Sequence, residues 1–480
     1  MTKLFIGPFN RIEGDLEVRL DVRDGLVRSA QVVSPLFRGF ETMLTGKTPS
    51  DALIFVPRIC GICSVSQSVA AARAIGAAQG LTLSGNGALS MNIVHAIENI
   101  TDHLTHFYLF FMPDFTRPFY SGKHWHEDII QRFAAVKGTA ASDVLPARAQ
   151  FLQMMGILAG KWPHTLSIRP GGSTRAISAA ERTRLAALLT GFRRFLERNL
   201  YGDSLERVVS ICSASALDDW LQRRAAANSD FGQFLALSAD LNLQALGHAH
   251  DRFLSVGAYA SEHGHLFAPG THDGNHSPFD PVNVTEDTDH SWYQKDHGRR
   301  APFDGKTLPV HDETVGYSWC KAPRYDGKPY EVGALARQIV NGHPLLSDLV
   351  QRGGGNVHSR VVARLVELAA TVLALESWVA LLEPEAPFCV PDRDPRRGDG
   401  IGLTEAARGS LGHWLSVRDG RIANYQIIAP TTWNFSPRDN DGVSGPLEQA
   451  LTGVAVDGPE SVNVQHIVRS FDPCMVCTVH

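Results

Sequence analysis

The sequence predicts an α+β protein: a large, mainly helical domain with a central helix bundle and small antiparallel hairpins near two pairs of cysteines. Residues 358–383 are nearly all Val, Leu and Ala over one broad face, which is typical of a core helix. Alternating apolar and polar residues flank Asp24-Gly25 and Asp419-Gly420, as in hairpins. Apolar residues make up 44% of the 480 residues, enough for a large core, and we expect a single domain over residues 1–480.

The predicted elements follow in chain order. Residues 15–22 and 25–34 form the first hairpin, and a short helix begins near Phe37. A second hairpin starts at His413, after a Pro-, Asp- and Arg-rich loop at residues 384–399. Helical patterns predict helices over residues 63–79, 88–112, 144–160, 176–200, 205–226, 230–247, 358–383 and 446–454.

Residues 256–330 differ from the rest of the chain. Gly, His, Asp and Pro accumulate there and the periodicity fades, so we expect a long irregular excursion. A loop of this length in a compact protein usually packs on something, often a partner chain.

Composition excludes several classes of function. The formal net charge of −5 is small for this length and gives no support to nucleic-acid binding. There is no run of about eighteen apolar residues, so no membrane span is expected. The N-terminus lacks a signal-peptide pattern, which indicates the cytoplasm unless a partner chain carries an export signal for both.

Two Cys-x-x-Cys pairs, Cys60 with Cys63 and Cys474 with Cys477, carry the strongest chemical signal. Two thiols at this spacing reach one metal ion from a single turn, and four thiolates suit zinc, nickel or iron. The chain has seven cysteines, an odd number, which argues against a disulfide framework. A structural zinc site is an alternative, but such a site usually takes its ligands from positions close together in the sequence, unlike these two distant pairs. The sequence therefore predicts a deeply placed metal centre.

Other polar residues have an ordinary local interpretation. His95, His103 and His106 interrupt the apolar pattern of residues 88–112. Core histidines on a long helix are the favoured interpretation and a metal set is the alternative, because spacing alone does not make side chains converge. Glu13, taken alone, is a solvated acid at a turn.

Short motifs occur in one order along the chain, and with the cysteine pairs and a terminal His480 they resemble the large subunit of [NiFe]-hydrogenases over the whole sequence. These motifs are Arg11-Ile-Glu-Gly14, Arg38-Gly-Phe-Glu41, Arg58-Ile-Cys-Gly-Ile-Cys63, His290-Ser-Trp-Tyr293, Lys321-Ala-Pro-Arg-Tyr325, Gly333-Ala-Leu-Ala-Arg337, Ala407-Arg-Gly409, Thr432-Trp-Asn434 and Asp472-Pro-Cys474. Each motif is weak alone. The resemblance implies that family's fold and the reversible heterolytic cleavage of dihydrogen.

The resemblance also implies a role for individual residues. It implies a nickel–iron centre with carbon monoxide and cyanide on iron, with Cys60 and Cys474 as terminal nickel ligands and Cys63 and Cys477 as bridges. Glu13 would take a proton from a cysteine thiol and pass it outward. The other implied residues are a charged canopy of Arg408, Asp102 and Asp472, a cyanide-binding hydroxyl on Thr431 beside Thr432, and the Mg²⁺ ligands Glu41 and His480.

The sequence departs from the family pattern at Gln67, where most members have a histidine one turn after the first cysteine pair. A glutamine donates a hydrogen bond but does not change charge. Ile62 and Phe110 stand where smaller Val and Leu are frequent; we expect them to narrow a gas channel, and core packing is the alternative. Together with the lack of a C-terminal extension, these features resemble the regulatory, hydrogen-sensing branch. A chain from another branch whose extension had been cut off after metal insertion would also lack it.

Ala407 also departs from the pattern. A proline often precedes the canopy arginine in the family, and alanine does not fix the backbone in the same way. We therefore expect a less rigid loop before Arg408.

The resemblance requires partners. Cys212, Cys320 and Cys389 are isolated in the sequence, so iron–sulfur clusters are expected only in a small partner subunit. The regulatory branch implies, in addition, a second heterodimer, a histidine kinase, low turnover and oxygen tolerance. Two alternatives are an energy-conserving uptake hydrogenase and a metal-free structural relative in a respiratory complex. The presence of all four cysteines argues against the metal-free relative.

Overall fold

More residues lie in helices than in strands, and small antiparallel sheets are set among the helices. The structure is a computed structural model that describes residues 2–262, 264–295, 298–312, 314, 316–456 and 461–480. Within these residues no helix is both long and apolar enough to cross a membrane.

The strands form sheets in the orders β1-β2-β3, β4-β5, β6-β7-β8, β10-β9 and β11-β12-β13. Their bounds are β1 (Thr2–Ile6), β2 (Glu17–Arg23), β3 (Leu26–Val33), β4 (Ile168–Arg169), β5 (Gly172–Ser173), β6 (Phe253–Ser261), β7 (Gly264–His272), β8 (His276–Ser277), β9 (Val284–Asp287), β10 (Ala322–Tyr325), β11 (Gly398–Ala406), β12 (Gly409–Arg418) and β13 (Arg421–Ile428).

The α-helices are α1 (Phe40–Leu44), α2 (Pro49–Phe55), α3 (Ser64–Gln79), α4 (Gly85–Thr105), α5 (His126–Phe133), α6 (Thr139–Phe151), α7 (Gln153–Ala159), α8 (Ala179–Phe195), α9 (Leu205–Val209), α10 (Ala214–Leu221), α11 (Arg224–Ala227), α12 (Asp230–Asp240), α13 (Ala334–Val340), α14 (Pro344–Gly353), α15 (Val357–Leu381), α16 (Pro430–Asn434), α17 (Pro446–Leu451), α18 (Val462–Ser470) and α19 (Met475–Thr478). Single 3₁₀ and π turns extend several of them.

The core helix predicted at residues 358–383 is confirmed: it is the central helix α15. Asn356 caps its start: the side-chain oxygen accepts a hydrogen bond from the Ser359 N–H at 2.9 Å, and the Ser359 hydroxyl accepts one from the Asn356 N–H at 2.9 Å. Every residue from Val357 to Ala369 is buried, so this part of the helix needs partners on all sides. It packs against α4, α8, α9 and α13.

Strand β11 lies directly against α3, and small residues permit the close approach. A Cβ atom added to Gly402 would stand 1.8 Å from the carbonyl oxygen of Ala70, and one added to Gly400 would stand 2.0 Å from the oxygen one turn further along α3. These distances exclude any side chain, so the strand needs alternate glycines. Because α3 follows the first cysteine pair and β11 ends just before Arg408, this contact brings the two segments together.

Several predicted helices are shorter than expected. Residues 144–160 form α6 and α7, which meet at Leu152, and α12 ends at Asp240. Residues 205–226 lie in three short helices, and side-chain caps start α9 and α10: the hydroxyls of Ser204 and Ser213 each accept a hydrogen bond from the N–H three residues later. Both hairpins and the helix at residues 63–79 are confirmed.

The predicted irregular excursion is wrong in its first part. Strands β6 and β7 pair over most of residues 253–272, and β6 is buried for seven consecutive residues. A strand buried on both faces has no alternation of apolar and polar residues, so its pattern resembled a loop. Residues 263, 296, 297, 313 and 315 of the excursion lie outside the described residues.

Candidate metal centre

Four cysteine sulfur atoms meet in the protein interior. The Sγ atoms of Cys60, Cys63, Cys474 and Cys477 all lie within 4.8 Å of one another. The Sγ–Sγ distances are 3.0 Å for Cys474–Cys477, 3.1 Å for Cys63–Cys477 and 3.5 Å for Cys60–Cys474, longer than the roughly 2 Å of a disulfide. Four buried free thiols this close form a soft donor set that fits nickel and iron.

Crowding keeps part of this group protonated. Hydrogen bonding with Cys474 raises the pKa of Cys63 well above its ordinary value, and burial acts in the same direction on Cys477. A bound metal cation would balance the negative charge of buried thiolates. Metal binding here should therefore release protons.

Glu98 of α4 holds the start of the helix that follows Cys63. Its carboxyl oxygens accept hydrogen bonds from the N–H groups of Val65 and Ser66, both at 2.8 Å, and from the indole N–H of Trp162 at 3.0 Å. The two backbone donors belong to the first turn of α3 and have no partner within the helix. Burial raises the pKa of Glu98 to about 7. Sequence reasoning missed this residue, because no local pattern shows that a glutamate inside one helix caps another.

The second cysteine pair is tied to two distant parts of the chain. The Met475 N–H donates a hydrogen bond to the Glu13 carbonyl oxygen at 2.7 Å. The Thr431 hydroxyl accepts one from the Cys474 N–H at 3.1 Å. The Thr432 hydroxyl donates to a backbone oxygen of the same C-terminal segment at 3.1 Å. Both threonines therefore hold the backbone that carries the cysteines.

Glu13 lies beside this group and is half-buried. Burial raises the pKa of its carboxyl group, negative charge on Cys60 raises it further, and Arg408 lowers it. Gly14 permits the close approach: its φ is +84°, and an added Cβ would stand 3.0 Å from the side chain of Val476. A carboxyl group in this place with a raised pKa is suited to proton transfer.

Arg408 lies between two acidic side chains. Its guanidinium donates to Asp102 Oδ2 at 2.6 Å and to Asp472 Oδ1 at 3.1 Å, and Nε donates to the Asp472 carbonyl oxygen at 2.9 Å. Burial raises the pKa of Asp102 to about 8, against the effect of Arg408. Asp102 Oδ1 and Asp472 Oδ2 are buried without a hydrogen-bond partner among the described residues, which leaves two acceptors for a ligand or water.

Gln67 lies one turn after the first cysteine pair and is fully buried. Its Oε1 accepts a hydrogen bond from Nε2 of His413 at 2.8 Å, and Nδ1 of that ring lies 2.8 Å from the Tyr425 hydroxyl. Burial lowers the pKa of His413 to about 3, so the ring is neutral. Nε2 of Gln67 has no partner within the described chain, so this buried donor is available to an acceptor such as a metal-bound anion.

Glu41 and His480, the predicted Mg²⁺ ligands, lie together beside Lys321. Oε1 of Glu41 is 3.3 Å from Nε2 of His480, and Oε2 accepts a hydrogen bond from the Lys321 ammonium at 2.9 Å. Burial alone would raise the pKa of Glu41, but Lys321 and His480 lower it. Glu286 lies 3.6 Å from the same ammonium, and its Oε1 has no partner in the described part of the chain. Two carboxyl groups that face one ammonium group leave room for a further cation. Sequence reasoning assigned no role to Lys321 and missed Glu286.

The two predicted channel residues lie in different surroundings. Ile62 is partly buried and packs on the hydrophobic core that includes the four cysteines. Phe110 is half-buried in the π-helix His106–Phe111, which continues α4 where the sequence predicts a regular helix. Because a π turn holds an extra residue, Phe111 lies over His106, with ring centroids 5.6 Å apart, and is fully buried. The channel role of Phe110 stays a prediction.

The three histidines of α4 and of the π-helix that continues it are core residues, which confirms the favoured interpretation. His95, His103 and His106 are all buried, and each makes a hydrogen bond to another part of the chain. Among the His, Cys, Asp and Glu side chains of the described ranges, the four cysteines form a group whose ligand atoms lie close enough together to hold a metal ion.

Comparison with known proteins gives matches over the full length of the chain. A family model described as nickel-dependent hydrogenase matches residues 38–119 and 115–480. The periplasmic [NiFeSe] hydrogenase large subunit of Desulfomicrobium baculatum is 30% identical, over 100% of this chain and 95% of its own length. The uptake hydrogenase large subunit of Rhodobacter capsulatus is 26% identical over the same shares.

Solved structures share the fold. A reduced, active form of the Ni-Fe-Se hydrogenase from Desulfomicrobium baculatum matches with a TM-score of 0.86 at 30% identity. The reduced Ni-Fe-Se hydrogenase from D. vulgaris Hildenborough matches with a TM-score of 0.84 at 31% identity. Both comparisons cover 100% of each chain, and the predicted α+β class is confirmed.

Proposed function

Because the chain belongs to the nickel-dependent hydrogenase family, we propose that it is the large subunit of a hydrogen-sensing regulatory [NiFe]-hydrogenase. It is an enzyme that activates dihydrogen. The convergence of four buried cysteine sulfurs supports the metal centre. The neutral amide of Gln67, fixed by His413, supports the regulatory role, since most members of the family have a titratable histidine there.

We assign the four thiolates to a nickel–iron centre. Cys60 and Cys474 would hold nickel alone, and Cys63 and Cys477 would hold both metals. When bound, a centre with carbon monoxide and cyanide on iron would supply the site for heterolytic cleavage of dihydrogen. The unpartnered amide of Gln67 and the Thr431 hydroxyl, which in the described part of the chain only accepts a hydrogen bond from the Cys474 N–H, would donate to the cyanide ligands. Thr432 would support them indirectly, since its hydroxyl donates to the Thr478 carbonyl oxygen.

The residues around the four cysteines would accept the proton and place charge beside the reacting position. Glu13 would accept a proton from a cysteine sulfur, since its carboxyl group is half-buried next to the group and has a raised pKa. Arg408, held by Asp102 and Asp472, would place a fixed positive charge beside the reacting position. Such a charge needs no reorganisation when the reaction occurs.

Glu41 and His480, whose side chains lie together, would hold Mg²⁺. One ammonium, that of Lys321, faces the carboxyl groups of both Glu41 and Glu286, which favours a further cation in this place. A carboxylate oxygen suits magnesium, whereas imidazole is a less usual ligand.

Electron transfer requires a partner. Cys212 and Cys389 lie apart from the four-cysteine group, and Cys320 is a single buried thiol, so we place the iron–sulfur clusters in a small subunit. A second heterodimer would associate with the first, and a histidine kinase would receive the signal in the cytoplasm. The names of the relatives favour an uptake hydrogenase as the second candidate, with the same site and high turnover.

The metal centre is tested by changing one cysteine in each pair. In the heterodimer, Cys60→Ala and Cys477→Ala should each yield protein that lacks nickel or hydrogen uptake. Cys212→Ala, an exposed cysteine outside the group, serves as the control and should keep both. Full nickel and normal uptake in either site variant would overturn the assignment.

The regulatory role is tested on the purified heterodimer. Turnover with an artificial acceptor should be low, and a co-expressed histidine kinase should change its autophosphorylation between hydrogen and argon. High turnover together with a kinase that ignores hydrogen would favour the uptake function. An infrared spectrum without carbon monoxide and cyanide bands would contradict the metal centre itself.

A further inference from the structure

The motif Gly333-Ala-Leu-Ala-Arg337 places a buried arginine against the turn that carries Arg408. We propose that Arg337 is a positioning residue for hydrogen activation: it fixes the backbone of that turn and thereby fixes the Arg408 guanidinium. This inference rests on the role proposed above for Arg408.

All five N–H groups of the Arg337 guanidinium have acceptors. Nε and one terminal nitrogen donate to the two oxygens of Glu367 at 2.9 and 2.6 Å, and the other terminal nitrogen donates to Glu405 at 2.7 Å. The remaining two N–H groups donate to the carbonyl oxygens of Ala406 and Ala407 at 2.9 and 3.0 Å. The side chain is 1% exposed, so its charge requires these partners.

The two backbone acceptors are the residues directly before Arg408. Ala406 pairs with Gly409 across β11 and β12, so Ala407 and Arg408 form a two-residue turn. Arg337 thus binds the last strand residue and the first turn residue. It does not contact the Arg408 side chain in the described hydrogen bonds, and acts through the backbone.

The helix that carries Arg337 also approaches the other side of the turn. Gly409 has a φ of +132°, and a Cβ added there would stand 2.7 Å from the backbone nitrogen of Gly333. A Cβ on Gly333 would stand 3.3 Å from the carbonyl oxygen of Arg408. The start of α13 therefore abuts the turn, while Arg337 binds it one helical turn later.

A second connection runs through Glu367 on the central helix. Oε1 of Glu367 accepts a hydrogen bond from Arg337 and lies 3.0 Å from Nε2 of His103, the residue after Asp102. Arg337 is thereby linked to the segments of both members of the Arg408–Asp102 ion pair. Ala407 lacks the rigidity expected of proline, and the bond from Arg337 to its carbonyl oxygen supplies that restraint.

The test measures whether Arg337 acts through Arg408. In the heterodimer, Arg337→Lys keeps a positive charge but has three donors in place of five, so the turn loses restraints. We expect nickel content and the KM for hydrogen to stay near wild-type values while kcat falls on the order of 10- to 100-fold. Arg408→Lys should lower kcat by at least as much, and the double variant should be no slower than Arg408→Lys alone.

Arg324→Lys is the matched control. Arg324 is 0% exposed and also donates five hydrogen bonds, to Asp439, Ser436 and backbone oxygens, but it does not bind the turn. We expect Arg324→Lys to lower the melting temperature as Arg337→Lys does and to keep kcat. If Arg337→Lys does not accumulate with nickel, Glu405→Gln, which removes the negative charge that one terminal nitrogen of Arg337 faces, is measured in the same way.

A wild-type kcat in Arg337→Lys, or in Glu405→Gln when it replaces that variant, would overturn the inference. So would a double variant whose loss is the product of the single losses, and so would an equal loss of kcat in Arg324→Lys. A wild-type kcat in Arg408→Lys would instead overturn the proposed role of Arg408, and with it the inference.

Discussion

The substitution Glu98→Ala should separate the start of α3 from its cap and release nickel. Glu98 accepts hydrogen bonds from the Val65 and Ser66 N–H groups and from the Trp162 indole, and Cys63 directly precedes this turn. Loss of the acceptor frees the first turn, so the Cys63 sulfur should no longer be held at a fixed place.

The size of the effect follows from the donors left without a partner. Two buried backbone N–H groups lose their acceptor, at about 1–3 kcal/mol each, and the part-buried Trp162 N–H loses one as well. The free energy of unfolding should therefore fall by roughly 2–6 kcal/mol from the backbone donors alone. A typical domain has about 5–15 kcal/mol in total, so the variant should be near the limit of folding. Glu98→Gln keeps one carbonyl oxygen and the side-chain shape, and should lose only about 1–3 kcal/mol.

The assay combines chemical denaturation with nickel analysis of the folded fraction. Glu448→Ala is the control: Glu448 is fully buried, and it accepts hydrogen bonds from the Val32 N–H at 3.0 Å and the Tyr317 hydroxyl at 2.8 Å, apart from the cysteine group. Both alanine variants should lose stability. The nickel content should fall in Glu98→Ala, fall less in Glu98→Gln, and stay at the wild-type level in Glu448→Ala.

Two results would refute this reasoning. A Glu98→Ala protein that is destabilised but holds nickel as tightly as wild type would show that the cap does not position Cys63. Equal loss of nickel in Glu448→Ala would show that any buried carboxyl deletion has this effect.

Three further predictions concern protons and gas. Glu13→Gln should keep both metals and abolish isotope exchange between hydrogen and water; unchanged exchange would remove Glu13 from the proton route. The pair Ile62→Val with Phe110→Leu should retain hydrogen turnover and gain sensitivity to oxygen, and equal oxygen tolerance in parent and variant would reject the channel. Burial raises the pKa of Glu448 to about 7, so the native state holds a proton that the unfolded chain releases. The stability advantage of wild type over Glu448→Gln should therefore shrink by about 3 kcal/mol as the pH rises from about 4.5 to about 7, which denaturation across this range measures.

Local pattern was sufficient for the elements that do not depend on distant neighbours. The hairpins turning at Asp24-Gly25 and Asp419-Gly420 and the core helix α15 lie where periodicity predicts them. Strand β11 was not predicted. Its alternate glycines, which the contact with α3 requires, have no side chains, so the alternation that indicates a strand is missing.

The sequence by itself determined the chemical inventory: two distant cysteine pairs, Glu13 beside a glycine, and Arg408 among short motifs. Only the tertiary structure decided that the sulfurs meet within 4.8 Å, that Lys321 and Glu286 join Glu41, and that Glu98 and Arg337 hold the segments bearing Cys63 and Arg408. The physical reason is that ligand identity is a property of single side chains. Position and charge balance instead depend on buried hydrogen bonds between residues far apart in the chain, and no local pattern records those.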